Sequence, residues 1–342
     1  MNDASTTGSA RIAAIDIGSN TTRLMIADVT VDASGTRHTP IIRESRITRL
    51  AEGVDARGML LPVPVTRTRN ALTEFRAIAR EHGAVYALAT ATSAVRDSDN
   101  GEAFLGEIEY TFGFDTELLA GRDEAAWTWR GVTSDPELAS EAARGSGLLV
   151  DIGGGSTEIV LTSHGAIQDF DSLQLGSVRL TEQQLASPNE DGSWTPEQLQ
   201  RATDRSREMI AERFPSISTP DLAIGVAGTV TTVGAIKLDM ATYDSTRIHR
   251  MQISQADIIA TRDRVGQMAV ADRRNISGLE PQRAEVITGG LCILTALCQH
   301  AGIDTVTVSE CDILDGVALH AGEHAVREQI TEMPEPFGRT SC

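Results

Sequence analysis

The sequence predicts an α/β protein of two lobes built to one plan, and three observations carry that expectation. An eleven-residue phrase occurs twice: Ala14-Ile15-Asp16-Ile17-Gly18-Ser19-Asn20-Thr21-Thr22-Arg23-Leu24 returns as Leu149-Val150-Asp151-Ile152-Gly153-Gly154-Gly155-Ser156-Thr157-Glu158-Ile159, every position shifted by 135 residues. Around each copy the apolar and turn patterns repeat in the same order. A length of 342 residues is too great for one compact core and suits two domains of about 150 residues each.

In the first half, short apolar runs predict strands at 11–15, 22–29 and 39–50, and a helical period follows over about 63–82. A strand at 85–91, a helix at about 101–114, a short strand at 116–118 and a helix from Arg122 complete that half. The second half repeats the order: strands at 147–152, 157–162 and 166–175, helices near 179–186 and 195–213, a strand at 222–226 and a helix from Thr229. Helices at about 254–270 and 283–301, a strand at 305–308 and a last helix from Ile313 end it. Three antiparallel strands followed by alternating helices and strands is a ribonuclease-H-like layout. The expected bounds are a disordered tail at 1–10, a first lobe at 11–128, a second at 129–325, and a tail at 326–342 that packs on the first lobe. Ser134-Asp135-Pro136 and Arg144-Gly145-Ser146 break the pattern near the boundary, and 187–195 reads as a surface loop.

Each repeated phrase reads as a buried strand ending in Asp, a Gly/Ser/Thr turn, and a second strand. Such a turn aims several backbone N–H groups at one spot with hydroxyls beside them, which is a cradle for phosphate. The Asp at its edge, Asp16 or Asp151, suits a divalent cation. In the second cradle Gly153, Gly154 and Gly155 let the backbone approach phosphate oxygens without Cβ obstruction, with Ser156 and Thr157 beside them. Asp151 enters that turn and Glu158 leaves it, which can put two carboxylates on one loop. A tight glycine hairpin with solvated acids would give the same string once; the matching first copy weighs against it. That copy offers Gly18, Ser19, Asn20 and Thr21, and carries Arg23 where the second carries Glu158. Two cradles in two related halves imply a polyphosphorylated ligand in a cleft between lobes.

Composition narrows the classes further. The net charge of −18 argues against broad nucleic-acid binding, which relies on a basic face, but not against a local phosphate site. No apolar run approaches the ~20 residues of a membrane span, and the polar start lacks an apolar signal core, so the cytoplasm is the expected compartment. Cys292, Cys298 and Cys311 sit in apolar surroundings and read as core thiols; Cys342 completes the set without CxxC spacing. His320-Ala321-Gly322-Glu323-His324 matches the H-x-x-E-H zinc pattern, but a glycine interrupts it and a solvated polar face is the expected reading.

Six ordered strings resemble the Ppx/GppA phosphatases, within the superfamily of actin-like ATPases, Hsp70 and sugar kinases. They are AAIDIGSNTTRL, ATATSAVRD, LLAGRDEAAW, LVDIGGGSTEIVL, GVAGTVTT and SECDILDGV, over about residues 11–322. The resemblance implies two actin-like lobes and a short form without the helical domains of larger members. It also implies a divalent cation, Mg²⁺ or alternatively Mn²⁺, held with help from Asp151 and Glu158. It places the catalytic glutamate immediately before Ala125, which selects Glu124 over Asp123 as the base that activates water. It supports phosphate binding by Thr92, Ser93 and Arg96, and Arg179 lies in a similar strand-end turn. In the wider superfamily the turn matching Gly228 and Thr229 lies near a nucleotide; tight strand–helix packing is the competing explanation. Glu310 can face the same cleft.

The favoured activity is metal-dependent removal of the terminal phosphate of inorganic polyphosphate. Guanosine pentaphosphate is the alternative substrate. A sugar-type kinase and a non-catalytic alarmone or polyphosphate sensor are the competing classes. The block around Glu124 argues against the kinase, and an intact base argues against the sensor. A homodimer is compatible with a short family member, though no residue pattern demands it.

Overall fold

The computed structural model describes residues 7–185 and 188–335. The chain divides into two compact units, 1–134 with 311–342, and 135–310.

Unit 1 opens with β1 (Gly8–Ile17), β2 (Thr21–Asp32) and β3 (Gly35–Ile47). They are followed by α1 (Val54–Arg57), α2 (Pro62–Glu81), β4 (Tyr86–Ala91), α3 (Ser93–Arg96), α4 (Gly101–Phe112), β5 (Asp115–Leu118) and α5 (Gly121–Val132). The sheet order is β3-β2-β1-β4-β5, with β1–β2–β3 antiparallel and β4 and β5 parallel to β1. The apolar run of β1 has a cause in this order: both faces of the sheet are covered. Ala13, Ile15 and Ile17 face Leu72 and Phe75 of α2, whereas Ile12 and Ala14 belong to the cluster on the opposite face.

That opposite face is covered by the last helix of the chain. Unit 2 contributes α6 (Pro136–Ala142), β6 (Ser146–Ile152), β7 (Thr157–Ser163), β8 (Ala166–Leu173), α7 (Ser177–Gln184), α8 (Pro196–Arg213), β9 (Leu222–Val226) and α9 (Ala227–Lys237). It continues with α10 (Ser245–Ile248), β10 (Gln252–Ser254), α11 (Gln255–Gly266), α12 (Val270–Arg273), α13 (Ile287–Ala301) and β11 (Thr305–Val308). The chain then returns to unit 1 as α14 (Ile313–Arg327). Val317, Ala318, Ala321 and Ala325 of α14 pack on Ile12, Ala14, Met25 and Val29. The small side chains let the helix lie close: a Cβ on Gly322 would stand 2.3 Å from Val29. The expected assignment of 313–325 to the second lobe is therefore corrected.

The sheet of unit 2 runs β10-β11-β9-β6-β7-β8. Read from β8 inward this is the order of unit 1, with antiparallel β10 added at the far edge. The duplication read from the repeated phrase is thus present as topology. Its single core takes Trp194, Leu199 and Ile210 from the α8 side and the inner face of α13, including Cys292 and Cys298. Burial pushes those two thiols up to about 11 and about 12, as expected of core cysteines.

Two further expectations change. Residues 8–10, placed in a tail, are strand: Gly8, Ser9 and Ala10 pair with Val31, Thr30 and Val29. Residues 1–6 of that tail lie outside the described residues. The C-terminal stretch packs on unit 1 as far as it is described, with Met333 against the α2 core and the Pro334 carbonyl accepting from Arg76; 336–342 lie outside. Ser187 of the expected surface loop also lies outside, while Trp194 at its end is buried beneath the Arg273 guanidinium. Among the described residues no helix is long and apolar enough to cross a membrane.

Candidate active site

The two cradles share a backbone design. Each turn closes on its own first glycine: Gly18 N–H donates to the Thr21 carbonyl (3.1 Å) and Gly153 N–H to the Ser156 carbonyl (3.0 Å). Each is braced by the chain leaving the third strand of its unit. In unit 1, Thr48 and Arg49 N–H donate to the Asn20 carbonyl and Ala51 N–H to Ser19. In unit 2, Ser177 N–H donates to the Gly153 carbonyl and Val178 N–H to Gly154 (both 2.9 Å), and Arg179 Nε donates to the Gly155 carbonyl (2.8 Å). Gly176 permits that approach, since a Cβ there would lie 2.3 Å from the Gly154 oxygen.

Thr22 and Thr157, equivalent in the repeat, are both fully buried and serve the brace. The Thr22 hydroxyl pairs with that of Thr48 at 3.0 Å, and the Thr157 hydroxyl donates to the Leu175 carbonyl. Thr157 is expected among the phosphate-binding residues; in this structure its hydroxyl donor is committed to a buried carbonyl.

The carboxylates differ between the units. Asp151 and Glu158 are directly opposed across β6 and β7, and both are buried. Ser172, the β8 neighbour of Glu158, donates its hydroxyl to Glu158 Oε1 at 2.6 Å. In unit 1 the same opposed pair is Asp16 and Arg23. Arg23 donates to Asp16 Oδ2 through Nε (2.9 Å) and Nη2 (2.7 Å), and through Nη1 to Asp312. Asp16, expected as a cation ligand, is thus an ion-pair partner in this structure. Its burial raises its pKa, with Arg23 acting in the opposite sense and Asp312 adding to the rise.

The rest of the unit 1 site collects at the carboxyl ends of β1, β4 and β5, where open α/β sheets bind ligands. The turn after β1 meets the turn after β4 through the Ser19 and Ser93 hydroxyls, 2.8 Å apart. Asn20 Oδ1 is buried there without a hydrogen-bond partner. Its Nδ2 lies 3.4 Å from the Thr21 hydroxyl, so the amide sits within the turn itself. Beyond β5 the chain enters α5, which buries Glu124 (6% exposed) and leaves Asp123 exposed. Arg96 Nη1 donates to the Leu119 carbonyl (2.7 Å) and to Glu124 Oε2 (3.3 Å). Thr92 and Ser93 are buried beside them. Unit 1 therefore gathers Ser19, Asn20, Thr92, Ser93, Arg96 and Glu124 in one region.

In unit 2 the matching position after β9 holds Gly228 and Thr229. Ala227 there has φ 63°, a left-handed conformation that costs a non-glycine residue about 1–3 kcal/mol and clusters at functional turns. The Arg283 guanidinium lies against Gly228, where a Cβ would meet it at 1.8 Å. Tyr243 donates to Glu310, and burial with the Glu310 charge raises its pKa. Arg283 and Tyr243 carry no sequence signal, since each arrives through tertiary packing. Asp312 had a signal: Asp312 and Asp315 form a capping box at the start of α14.

The H-x-x-E-H string gathers no metal site. His320 stacks on Trp127, Glu323 pairs with Arg130, and His324 packs on Tyr86. The string lies on a helix whose apolar face is packed, and His320 and Glu323 stay partly exposed on the polar side. Among the described residues no group of three or more His, Cys, Asp or Glu is placed to hold a metal by itself.

Residues 29–323 match the Ppx/GppA phosphatase family. The chain is 38% identical over 325 residues to Exopolyphosphatase 2 of Mycobacterium tuberculosis, covering 90% of this chain and 98% of that protein. Its structure resembles the crystal structure of an exopolyphosphatase-like protein with a TM-score of 0.83 at 32% identity, covering 93% of this chain and 99% of the other. It also resembles the Ppx/GppA family member from Aquifex aeolicus, with a TM-score of 0.75 at 26% identity over 94% and 99% of the two chains. This chain belongs to the Ppx/GppA phosphatase family.

Proposed function

We propose that the protein is an exopolyphosphatase that hydrolyses the terminal phosphoanhydride of inorganic polyphosphate. The observation that supports this most is the buried Glu124 beside Arg96, next to the joined Ser19 and Ser93 turns. Glu124 takes a proton from water as the water oxygen attacks the terminal phosphorus. The P–O anhydride bond breaks, its electron pair leaves with the shortened chain, and orthophosphate is released. Arg96, Ser19, Asn20, Thr92 and Ser93 hold phosphate oxygens on the unit 1 side. Gly153, Gly154, Gly155 and Ser156 do so in unit 2, and Arg179 fixes that turn.

A hard divalent cation such as Mg²⁺ takes one or two carboxylates and fills the remainder of its shell with water and substrate oxygens. Asp151 and Glu158 fit that donor set as a buried opposed pair. When bound, the cation would offset charge on the transferring phosphoryl group. Asp16 fits less well, because Arg23 already supplies it a positive charge. The cytoplasm is the compartment this reading implies.

A second substrate, guanosine pentaphosphate cleaved at its 5′ terminal phosphate, is favoured by the planar Arg283 cation on Gly228, which can stack on a base. The test is orthophosphate release from polyphosphate and from guanosine pentaphosphate with Mg²⁺, wild type against Glu124→Gln. Wild type is expected to release orthophosphate, and the variant to lose about two orders of magnitude or more while still binding substrate. Unchanged turnover in the variant removes Glu124 from its role.

A further inference from the structure

The Arg23 guanidinium is gripped from two sides by residues far apart in the chain. Asp16, its cross-strand neighbour, takes Nε and Nη2; Asp312, 289 residues away in sequence, takes Nη1. A planar fork anchored at both edges cannot turn about its terminal torsions without giving up a charged contact.

Asp312 is itself immobilised. Its Oδ1 accepts from Leu314 N–H at 2.9 Å, capping the 15-residue helix α14, while Oδ2 faces Arg23. Its own N–H donates to Asp315 Oδ2 at 2.8 Å. Asp315 is 1% exposed and is held by His38 Nε2 at 2.8 Å and by Arg43, both on β3. A chain of fixed groups therefore runs from β3 through the first turn of α14 to the first cradle.

A helix cap alone does not call for this arrangement. Asn or Ser caps as well as Asp does, and capping occupies only one of the two carboxylate oxygens. The second oxygen and the negative charge are explained by Arg23.

We propose that Asp312 is a positioning residue for substrate binding: it holds the Arg23 guanidinium at the first cradle in the orientation that receives a phosphate group. The proposal rests on the phosphate-binding reading given above and adds to its unit 1 residues Arg23, which pairs with Asp16 at the edge of the first cradle. Pre-ordering a long cationic side chain removes an entropic cost that would otherwise fall on binding. Its signature is a change in KM, because the contact is made equally to substrate and transition state.

Asp312→Asn keeps the cap and the volume and removes the charge. The variant is expected to raise KM for polyphosphate by about fivefold to tenfold with kcat within about twofold. In an Arg23→Gln background the same change should leave KM where it is, since nothing remains to position. An unchanged KM in the single variant, or an equal rise in both backgrounds, overturns the proposal. The Arg23 Nη1–H NMR signals give a readout free of turnover, because Nη1 is the nitrogen that Asp312 holds: slowly exchanging with solvent in wild type, and fast in Asp312→Asn. An unaltered signal also overturns it. Failure of the broader reading looks different, because wild type itself would then release no orthophosphate.

Discussion

The two cradles have one backbone and opposite chemistry. Both turns close on their first glycine, both are braced from the chain after the third strand, and both bury a threonine in that brace. Across the paired strands, however, one faces Asp with Glu and the other faces Asp with Arg. The carboxylate pair concentrates negative charge, which suits a cation arriving with the substrate. The ion pair keeps a guanidinium in place, which suits the anion itself. A duplicated fold has thus kept one turn backbone in both units while the opposed pair beside it changed from Asp and Glu to Asp and Arg.

The largest effect should come from neutralising the unit 2 pair. Glu158→Gln is expected to lower turnover of polyphosphate by about two to three orders of magnitude, the scale of losing an electrostatic contact to a transferring phosphoryl group. Asp16→Asn should lower it by about tenfold or less, since its charge is already answered by Arg23. Equal losses in steady-state kinetics would erase the distinction between the cradles.

The braces offer a smaller contrast, read by urea unfolding. Thr157→Val strands the buried Leu175 carbonyl and should cost about 1–3 kcal/mol. Thr22→Val leaves only the Thr48 hydroxyl, which can rotate to another acceptor, and should cost about 1 kcal/mol or less. A larger loss from Thr22→Val than from Thr157→Val would contradict that order.

The subtlest effect lies in pH. Burial raises the Asp16 carboxyl above its ordinary value of 3.8 in the folded protein, so folding favours its protonated form. Its contribution to stability is fully present below the unfolded pKa and is lost as pH rises through the folded one. The stability of wild type relative to Asp16→Asn should therefore fall as pH is raised from about 4 toward neutrality. A difference that grows over that range would mean that Arg23 and not burial governs Asp16.

The cradles were legible in the sequence because a turn that approaches phosphate is written locally, in glycines, hydroxyls and one flanking Asp. The doubled strand order was legible for a similar reason, in apolar runs whose spacing repeats. Glu124 was separable from Asp123 only through family resemblance, although the fold buries the first and exposes the second. What escaped was tertiary. The small-residue face of α14 fits a sheet that begins some 300 residues earlier, and nothing in its own period names that sheet. Strand β10 has three residues and exists through its pairing with β11. The Arg23 contact with Asp312 and the place of Arg283 on Gly228 likewise join segments whose local patterns are silent about each other.

The division of charge between the cradles is tested most directly by calorimetric titration of Mg²⁺ into the Glu124→Gln protein saturated with a short polyphosphate. Beyond the uptake of polyphosphate alone, the account predicts that adding Glu158→Gln abolishes binding of the cation by the protein and that adding Asp16→Asn leaves it in place. Uptake that survives loss of Glu158 but disappears with Asp16 would contradict it.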